Sequence, residues 1–336
     1  MVTFGAGPMA NDYRNLNARG RALVEIGAWL RTRGYSFVTP TPETHRVVNA
    51  RADNASARDL RGVFGWSRPF KTDLLPRHVM GWLLEAGALE KHGELVRSRV
   101  RYSSLEGELF VHSAYPTEGE RSVFFGPDTN RFVRFVLGEL GRLPPADQPK
   151  RVVDVGCGSG AAGIVVGRWL GAQLATLILA DVNEDALELS AVNAALAEVV
   201  CACVKSDVLT AVTSQFDVIV ANPPYMHDTG ARAYRNGGGR HGSALSVRMV
   251  RECLERLAPG GTLLMYTGAA IVDGVDVFRA SLEPVLRARG AIPTYFEIDP
   301  DVFGDELTQP AYADVERIAA VGLVLRLPLS TLGESR

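Results

Sequence analysis

Residues 152–164 read VVDVGCGSGAAGI, and this stretch decides the fold. An apolar run with one embedded acid, Asp154, is typical of a buried strand, and helical spacing resumes after the glycines that follow it. Gly156, Gly158 and Gly160 can adopt the positive φ of a tight turn and allow close approach of a ligand, while the next helix points free N–H groups into the gap. The stretch therefore predicts a strand, a glycine turn and a helix around a flat or anionic ligand.

Composition narrows the class of protein. The chain has 336 residues, 46% of them hydrophobic, which is enough for two domains. No apolar run reaches the roughly 20 residues of a membrane span, and the first residues lack the pattern of a secretory signal, so we expect a cytoplasmic protein without membrane contact. A net charge of −2 gives no overall attraction to nucleic acid. The four cysteines are too scattered to predict disulfides or a metal site.

Residues 1–118 predict a separate α+β domain. Helical and alternating periodicity predict three helices, at 11–33, 43–50 and 74–86, and then a β-hairpin of strands 94–102 and 108–115. Helices followed by a hairpin resemble a winged helix. Arg97, Arg99 and Arg101 alternate onto one strand face, which we interpret as a solvated surface. The expected role of this accessory domain is to cover or select the substrate.

Residues 119–336 alternate strands with helices, the pattern of an α/β domain with a parallel sheet. Strands are expected at 152–155, 174–180, 200–205, 216–221, 262–266, 292–298 and 318–327. Helices are expected at 161–169, 184–196, 245–257 and 275–289. A joining segment, residues 123–137 (VFFGPDTNRFVRFVL), predicts a capped helix after Pro127. There Asp128 or Thr129 would touch a cofactor, unless the segment is only a linker.

Polar residues follow the predicted strands where open α/β sheets bind their ligands. Asp181 ends the second strand and can accept both hydroxyls of a ribose, with Val182 beside it. Asp207 follows the third strand and can accept the exocyclic amine of an adenine while Val208 packs on the ring. A turn acid is the alternative for Asp207.

The fourth strand runs directly into Asn222, Pro223, Pro224 and Tyr225. An Asn side-chain oxygen and a proline carbonyl can each accept one N–H of an amide or aromatic amine and so orient the nitrogen for alkylation. Tyr225 offers a stacking face and a cation–π partner for a sulfonium. Two prolines keep the turn rigid, so these groups are preorganised.

Together these motifs resemble a class I S-adenosylmethionine-dependent methyltransferase over about residues 121–327. The NPPY quartet is similar to that of release-factor glutamine N5-methyltransferases, small-domain ribosomal guanine N2-methyltransferases and adenine N6-methyltransferases, and residues 234–245 (YRNGGGRHGSAL) resemble the glutamine group. The resemblance implies a Rossmann-like sheet of seven strands, the last antiparallel, and S-adenosylhomocysteine as a product. It implies catalytic roles for Asn222, Pro223 and Tyr225. The implied cofactor-binding residues are Thr129, Asp154, Gly156, Gly158, Gly160, Asp181, Val182, Asp207, Val208 and Asn222.

Several alternatives stay open from the sequence. The acceptor nitrogen can belong to an amide, amine or guanidine of a small molecule, an amino acid or a protein. Acids at 297–306 would repel phosphates if they face the crevice, which disfavours but does not exclude an RNA or DNA base. Other hypotheses are an enzyme that cyclises or cleaves S-adenosylmethionine, an NAD-dependent dehydrogenase that uses the glycine turn, and a nucleic-acid-binding first domain. We interpret His227 and His241 as surface or structural residues.

Overall fold

The first part of the chain folds into four helices and two hairpins. The computed structural model describes residues 15–117, 119–144, 148–227, 235–289, 291 and 293–329. The helices are α1 (Ala18–Thr32), α2 (Pro42–Asn49), α3 (Leu60–Phe64) and α4 (Arg77–Glu85). The strands are β1 (Leu89–His92), β2 (Leu95–Ser98), β3 (Val100–Leu105) and β4 (Glu108–Ser113). The three predicted helices are present, and α3 is an addition.

The prediction of a single hairpin is wrong. β1 pairs with β2 and β3 with β4, each pair antiparallel and in a sheet of its own. The break falls after Ser98, whose Oγ donates to the Val100 carbonyl at 2.7 Å and accepts from the Val100 N–H at 3.2 Å. Because this side chain takes over the local backbone bonds, one alternating run becomes two strands with different partners.

The prediction that Arg97, Arg99 and Arg101 form a solvated strand face is wrong for Arg101. Arg101 is only 3% exposed, and its Nε donates to the Ser113 carbonyl at 3.3 Å. Burial lowers the pKa of this guanidinium to about 10. Alternation is the same for a buried and for a solvated strand face, so the pattern could not distinguish them.

The second part of the chain alternates strands and helices. Its strands are β5 (Lys150–Val155), β6 (Leu174–Asp181), β7 (Ala202–Lys205), β8 (Phe216–Ala221), β9 (Leu257–Val272), β10 (Val275–Asp276), β11 (Pro293–Asp299) and β12 (Arg317–Arg326). Its helices are α5 (Pro127–Leu140), α6 (Ala161–Leu170), α7 (Glu184–Leu196), α8 (Ala244–Arg256) and α9 (Val277–Arg289).

Seven of these strands form one sheet in the order β11-β12-β9-β8-β5-β6-β7, with short β10 paired to β9. The pairs on either side of β5 are parallel, and β12 runs antiparallel to both of its neighbours. Chain order reverses at β5, so the carboxyl ends of β5 and β8 border the crevice where open α/β sheets bind ligands. This confirms the predicted Rossmann-like sheet with one antiparallel strand.

Helix α7 joins the two parts of the chain. Its residues Ala186, Leu189, Val192 and Leu196 belong to the apolar core of the first 118 residues. Asn193 is fully buried; its Oδ1 accepts from the Val111 N–H at 2.7 Å, and its Nδ2 donates to the carbonyls of Val111 at 3.0 Å and Ser159 at 2.9 Å. One amide therefore connects β4 with the glycine turn, and a single apolar core crosses the predicted boundary at 118.

Over the described ranges, every helix is too short or too polar to cross a bilayer. Parts of some predictions fall outside the described residues: the first residues of the expected helix 11–33, Ile292 of an expected strand, and Tyr234 of the glycine-rich segment.

Candidate active site

The glycine turn between β5 and α6 has the predicted conformation. Gly156, Gly158 and Gly160 have φ values of 69°, 55° and 75°, which residues with a Cβ rarely adopt. The Gly156 N–H donates to the Ala180 carbonyl at 2.8 Å, and the Gly158 N–H donates to Asp181 Oδ2 at 2.9 Å. The turn is therefore fixed to the end of β6, and Gly156 and Gly158 line a cavity. Gly160, also predicted to bind the cofactor, does not line it: a Cβ there would lie 3.0 Å from Ile164 and from Ser190.

Asp154 lies at the floor of this cavity. Its Oδ2 accepts from the Gly163 N–H at 2.8 Å, which fixes the first turn of α6 on β5. Burial raises the pKa of the carboxyl to about 7, and the nearby carboxylate of Asp181 acts in the same direction. A positively charged ligand in the cavity would offset the cost of ionising this group.

Asp181 stands at the rim of the cavity. Its two carboxylate oxygens each accept one backbone N–H at 2.9 Å, from Gly158 and from Asn183. Burial raises its pKa, and these hydrogen bonds oppose that shift. Each oxygen keeps a lone pair for a ligand hydroxyl. Val182 beside it is 48% exposed and lines the cavity, and Asn183 caps α7 by accepting from the Asp185 N–H.

Asp207 and Val208 also line the cavity, but Asp207 has a partner the sequence did not predict. Arg248 of α8 donates to both of its oxygens, at 3.0 and 2.9 Å. This pair leaves free lone pairs on the carboxylate and fixes its direction. Val208 is 4% exposed with a φ of 52°, so its side chain is held against the cavity.

The start of α5 separates the two residues proposed for cofactor contact. Thr129 lines the cavity and accepts from the Gly126 N–H at 3.2 Å. Asp128 is 6% exposed and bonds instead to the hydroxyls of Tyr225 and Tyr266. Consecutive residues of a helix point about 100° apart, so one faces the ligand and the other the protein core.

Asn222 reaches the cavity from the end of β8. Its side-chain Oδ1 is buried and has no hydrogen-bond partner among the described residues. A buried polar atom of this kind costs about 1–3 kcal/mol unless a ligand satisfies it. The atom is therefore free to accept a hydrogen bond from a ligand N–H group, which is the role that the sequence predicts for it. Pro224 lines the cavity beside it.

Tyr225 is not placed as a stacking face. It is 7% exposed, and its ring lies where a Cβ on Gly268 would come within 2.2 Å of it. Phe303 packs edge-on at a centroid distance of 6.0 Å. Pro223 is also buried. Both residues therefore shape the turn from below, and neither side chain lines the described cavity.

Sequence reasoning missed the apolar walls. Phe124 and Phe132 flank the cavity on the α5 side, and Leu245 and Met249 line it from α8. A Cβ on Gly126 would lie 2.6 Å from the Phe124 ring, so the glycine makes room for this wall. The Phe-Phe-Gly-Pro run was a usable signal for it. No periodicity indicated the two residues of α8, because α8 buries its apolar face in any α/β fold.

The two histidines and the acids of residues 297–306 differ in their contacts. His241 Nε2 lies 3.1 Å from Asp314 Oδ1. The backbone N–H of His227 donates to the Tyr312 hydroxyl at 2.7 Å, whereas the buried Nδ1 of its ring has no hydrogen-bond partner among the described residues. The acids at 297–306 lie beside the NPPY turn through Phe303. Arginines pair with Glu297, Asp299 and Glu306. No salt bridge joins Asp301 or Asp305 to any other part of the chain that the structure describes.

The cavity measures about 190 Å³ and opens at the carboxyl ends of the strands. The glycine turn, the carboxylates of Asp181 and Asp154 and the side-chain amide of Asn222 surround it. These groups fit an adenosyl sulfonium: Asp181 suits a ribose, Asp207 and Val208 an adenine, and Asp154 a cationic amino acid moiety. A nicotinamide dinucleotide would leave Asn222 without a task.

Comparison with known proteins agrees with this fit. Residues 139–271 match the family described as Methyltransferase small domain. The chain is similar to the release factor glutamine methyltransferase of Koribacter versatilis, with 31% identity over 162 residues that cover 44% of this chain and 56% of the relative. It is also similar to the ribosomal RNA small subunit methyltransferase C of Chromohalobacter salexigens, with 35% identity over 125 residues, 37% of this chain and 33% of the relative.

Among solved structures, the chain is similar to the T. thermophilus 16S rRNA N2 methyltransferase in complex with AdoMet and guanosine. That match has a TM-score of 0.43 and 16% identity, covering 77% of this chain and 64% of the other. The chain spans just over half the length of the first release-factor relatives that it matches. S-adenosylmethionine is the cofactor that the family and its relatives imply. Residues 139–271 are therefore similar to the Methyltransferase small domain, and they belong to an α/β sheet with central parallel strands.

Proposed function

We propose that the protein is an S-adenosylmethionine-dependent N-methyltransferase whose acceptor nitrogen is held at Asn222. The observation that carries the proposal is the Oδ1 of Asn222, which is buried at the cavity beside the glycine turn and has no hydrogen-bond partner in the part of the chain that the structure describes. The bound cofactor would supply an electrophilic methyl group on a sulfonium. The cofactor would be held by the glycine turn that contains Gly156, Gly158 and Gly160, and by the carboxylate of Asp181.

The residues of the NPPY turn would orient the acceptor. Asn222 Oδ1 would accept one N–H of the target, and the Pro223 carbonyl would accept another. An NH₂ group held by two acceptors cannot rotate, so its lone pair keeps one direction. Phe124 and Phe132 border the site, and their rings would limit the access of water to the bound reactants. Positioning therefore contributes most of the acceleration.

We propose a protein amide as the acceptor. The relatives named release factor glutamine methyltransferases support it. A second support is the acidic segment 297–306, whose Phe303 packs on Tyr225 and in which Asp301 and Asp305 form no salt bridge with the described residues. Carboxylates near the NPPY turn would repel a phosphate backbone. The relatives named ribosomal RNA small subunit methyltransferase C favour the second candidate, a base of ribosomal RNA.

The first test replaces Asn222 with alanine. Because the amide contacts the acceptor and not the cradle, affinity for S-adenosylmethionine should stay within a few-fold in calorimetry. Turnover should fall by at least about a hundredfold, the scale of losing one preorganised polar contact. Asn17→Ala is the matched control, since that amide caps α1 outside the cavity. Unchanged turnover in Asn222→Ala would remove Asn222 from its role.

The second test identifies the acceptor class. The protein is incubated with methyl-labelled S-adenosylmethionine and either a purified release factor or small-subunit ribosomal RNA. We expect label in the release factor and S-adenosylhomocysteine in equal amount. Label in RNA would select the second candidate, and methylthioadenosine without labelled acceptor would contradict methyl transfer.

A further inference from the structure

A buried carboxylate lies directly beneath the NPPY turn. Asp128, the second residue of α5, accepts from the Tyr225 hydroxyl through Oδ2 and from the Tyr266 hydroxyl through Oδ1, the latter at 2.9 Å. Arg131, one turn along the helix, donates to Oδ1 at 3.3 Å. The carboxylate therefore joins α5, β9 and the end of β8 in one polar cluster.

Tyr225 is held on every side by this arrangement. Its hydroxyl ends on Asp128, its ring lies over Gly268, where a Cβ would clash at 2.2 Å, and Phe303 covers its edge. A different rotamer would move the hydroxyl away from Asp128 or the ring away from Gly268. A fixed ring three residues after Asn222 fixes the turn between them, because two prolines leave that turn few conformations.

Stability alone does not account for the carboxylate. Burial raises the pKa of Asp128 against the opposing effect of its three donors, so the free energy of unfolding gains little from the ionised group. Apolar residues of similar volume often replace buried charged clusters without loss of stability, whereas a polar cluster specifies one geometry.

The cluster extends to the acidic segment 297–306. The guanidinium of Arg131 also pairs with Asp299 at 3.0 Å, at the end of β11. Phe303, four residues later, has a φ of 58° and packs on Tyr225. A bulky residue at positive φ persists only where its surroundings hold it. Arg131 and Asp128 therefore connect the acidic segment 297–306 with the NPPY turn.

We propose that Asp128 is a positioning residue for methyl transfer: by holding the Tyr225 hydroxyl, it sets the direction of the Asn222 amide and the Pro223 carbonyl. The role rests on the proposed function, since those two groups are the proposed acceptors of the target N–H. Asp128 itself touches neither the cofactor cavity nor the acceptor.

Two tyrosines that donate to the same carboxylate give a matched pair of variants. Tyr225→Phe and Tyr266→Phe each remove one hydroxyl from Asp128, but only Tyr225 belongs to the turn. We expect similar losses of Tm and unchanged affinity for S-adenosylmethionine. Tyr225→Phe should lower kcat by about tenfold to a hundredfold, the effect of a misplaced reactant, while Tyr266→Phe changes kcat by less than about threefold. Equal losses of kcat in the two variants would overturn the positioning role.

An experiment that needs no acceptor separates this inference from the proposed function. The side-chain NH₂ resonances of Asn222 are followed by NMR in the cofactor-bound protein. They should shift or broaden in Tyr225→Phe and in the isosteric Asp128→Asn, and stay unchanged in Tyr266→Phe. Unmoved Asn222 resonances in all three variants would refute the role of Asp128 even if methyl transfer is confirmed. Moved resonances without any methylated acceptor would support it while the proposed function fails.

Discussion

Asp154 combines burial with a position at the floor of the cofactor cavity. An ordinary aspartate ionises near pH 4, but burial raises the pKa of this one to about 7. In the unliganded protein the folded state therefore keeps a proton that the unfolded chain has lost. Between these two values the free energy of unfolding falls as the pH rises, because the folded state holds more protons. Ionisation of the Asp154 carboxyl is therefore unfavourable unless a positively charged ligand binds next to it.

We predict that S-adenosylmethionine binds more tightly as the pH rises through 7. A sulfonium and an ammonium favour the ionised form of Asp154, so the dissociation constant should be several-fold larger at pH 6 than at pH 8, on the order of tenfold per unit below the pKa. Calorimetry across this range measures it. Asp154→Asn should bind more weakly at pH 8 and lose the dependence.

Asp217 serves as the control for that titration. It is a partly exposed carboxylate bound to Arg151, and its pKa is lowered, with burial acting against the hydrogen bonds from Arg151. Asp217→Asn should leave the pH dependence of cofactor binding unchanged. An equal dependence in wild type and Asp154→Asn would mean that another group titrates.

At this scale, the sequence could place Asp181 and Asn222 but not the partners of Asp128. A residue that follows a strand has a fixed location in a parallel sheet, so its neighbours follow from strand order. The bond between Asp128 and Tyr225 joins positions 97 residues apart. It depends on how α5 rotates against β9, and no local pattern specifies that rotation.

Helix α6 packs on the sheet through one glycine. A Cβ on Gly163 would lie 2.5 Å from Leu179 and 2.9 Å from the Cβ of Asp154. The helix can therefore approach β5 and β6 closely only while this position has no side chain. The same contact brings the Gly163 N–H to Asp154.

We predict that Gly163→Ala destabilises the protein by about 1–3 kcal/mol, the usual cost of an extra methyl in a filled core. Displacement of α6 also disturbs Asp154, so cofactor affinity should fall with Tm. Gly138→Ala is the matched control: it lies in α5 with open space around its Cβ position, so the change should stabilise by about 0.5–1 kcal/mol. Denaturant unfolding measures both, and a neutral Gly163→Ala would contradict the packing argument.

Periodicity predicted the helices and strands of residues 119–336 more accurately than those of residues 1–118. The strands around Asp154 and Asn222 are apolar on both faces and end at glycine or proline, so their limits are marked in the sequence. The hairpins were misjudged because the hydroxyl of Ser98 ends one ladder within an unbroken alternation. A side-chain bond of that kind leaves no trace in a hydropathy pattern.

At the scale of the whole molecule, the two predicted domains share a core. Helix α7 covers the sheet with one face and packs on α1 with the other, and Arg19 and Glu188 form a salt bridge across this contact. The predicted boundary at residue 118 marks a change of architecture. The apolar cluster of the first 118 residues also includes residues of α7 from beyond that boundary.

We predict that a fragment of residues 119–336 aggregates or fails to bind S-adenosylmethionine. Removing the first 118 residues would expose Leu189, Val192 and Leu196 and leave Asn193 without two of its three hydrogen bonds. Co-expression with a separate 1–118 fragment should restore binding, since the contact is non-covalent. A 119–336 fragment that is monomeric and binds the cofactor with native affinity would show that the shared core is dispensable.

The amide of Asn193 has a mechanical consequence. The side-chain amide exchanges two hydrogen bonds with the backbone of Val111 in β4. It donates a third to the carbonyl of Ser159 in the glycine turn. A tilt of β4 relative to α7 would therefore either break these hydrogen bonds or move the glycine turn as well. If a partner bound to the first domain moved β4, it would also move the glycine turn, and by reciprocity the partner and the cofactor would each change the affinity for the other by the same factor.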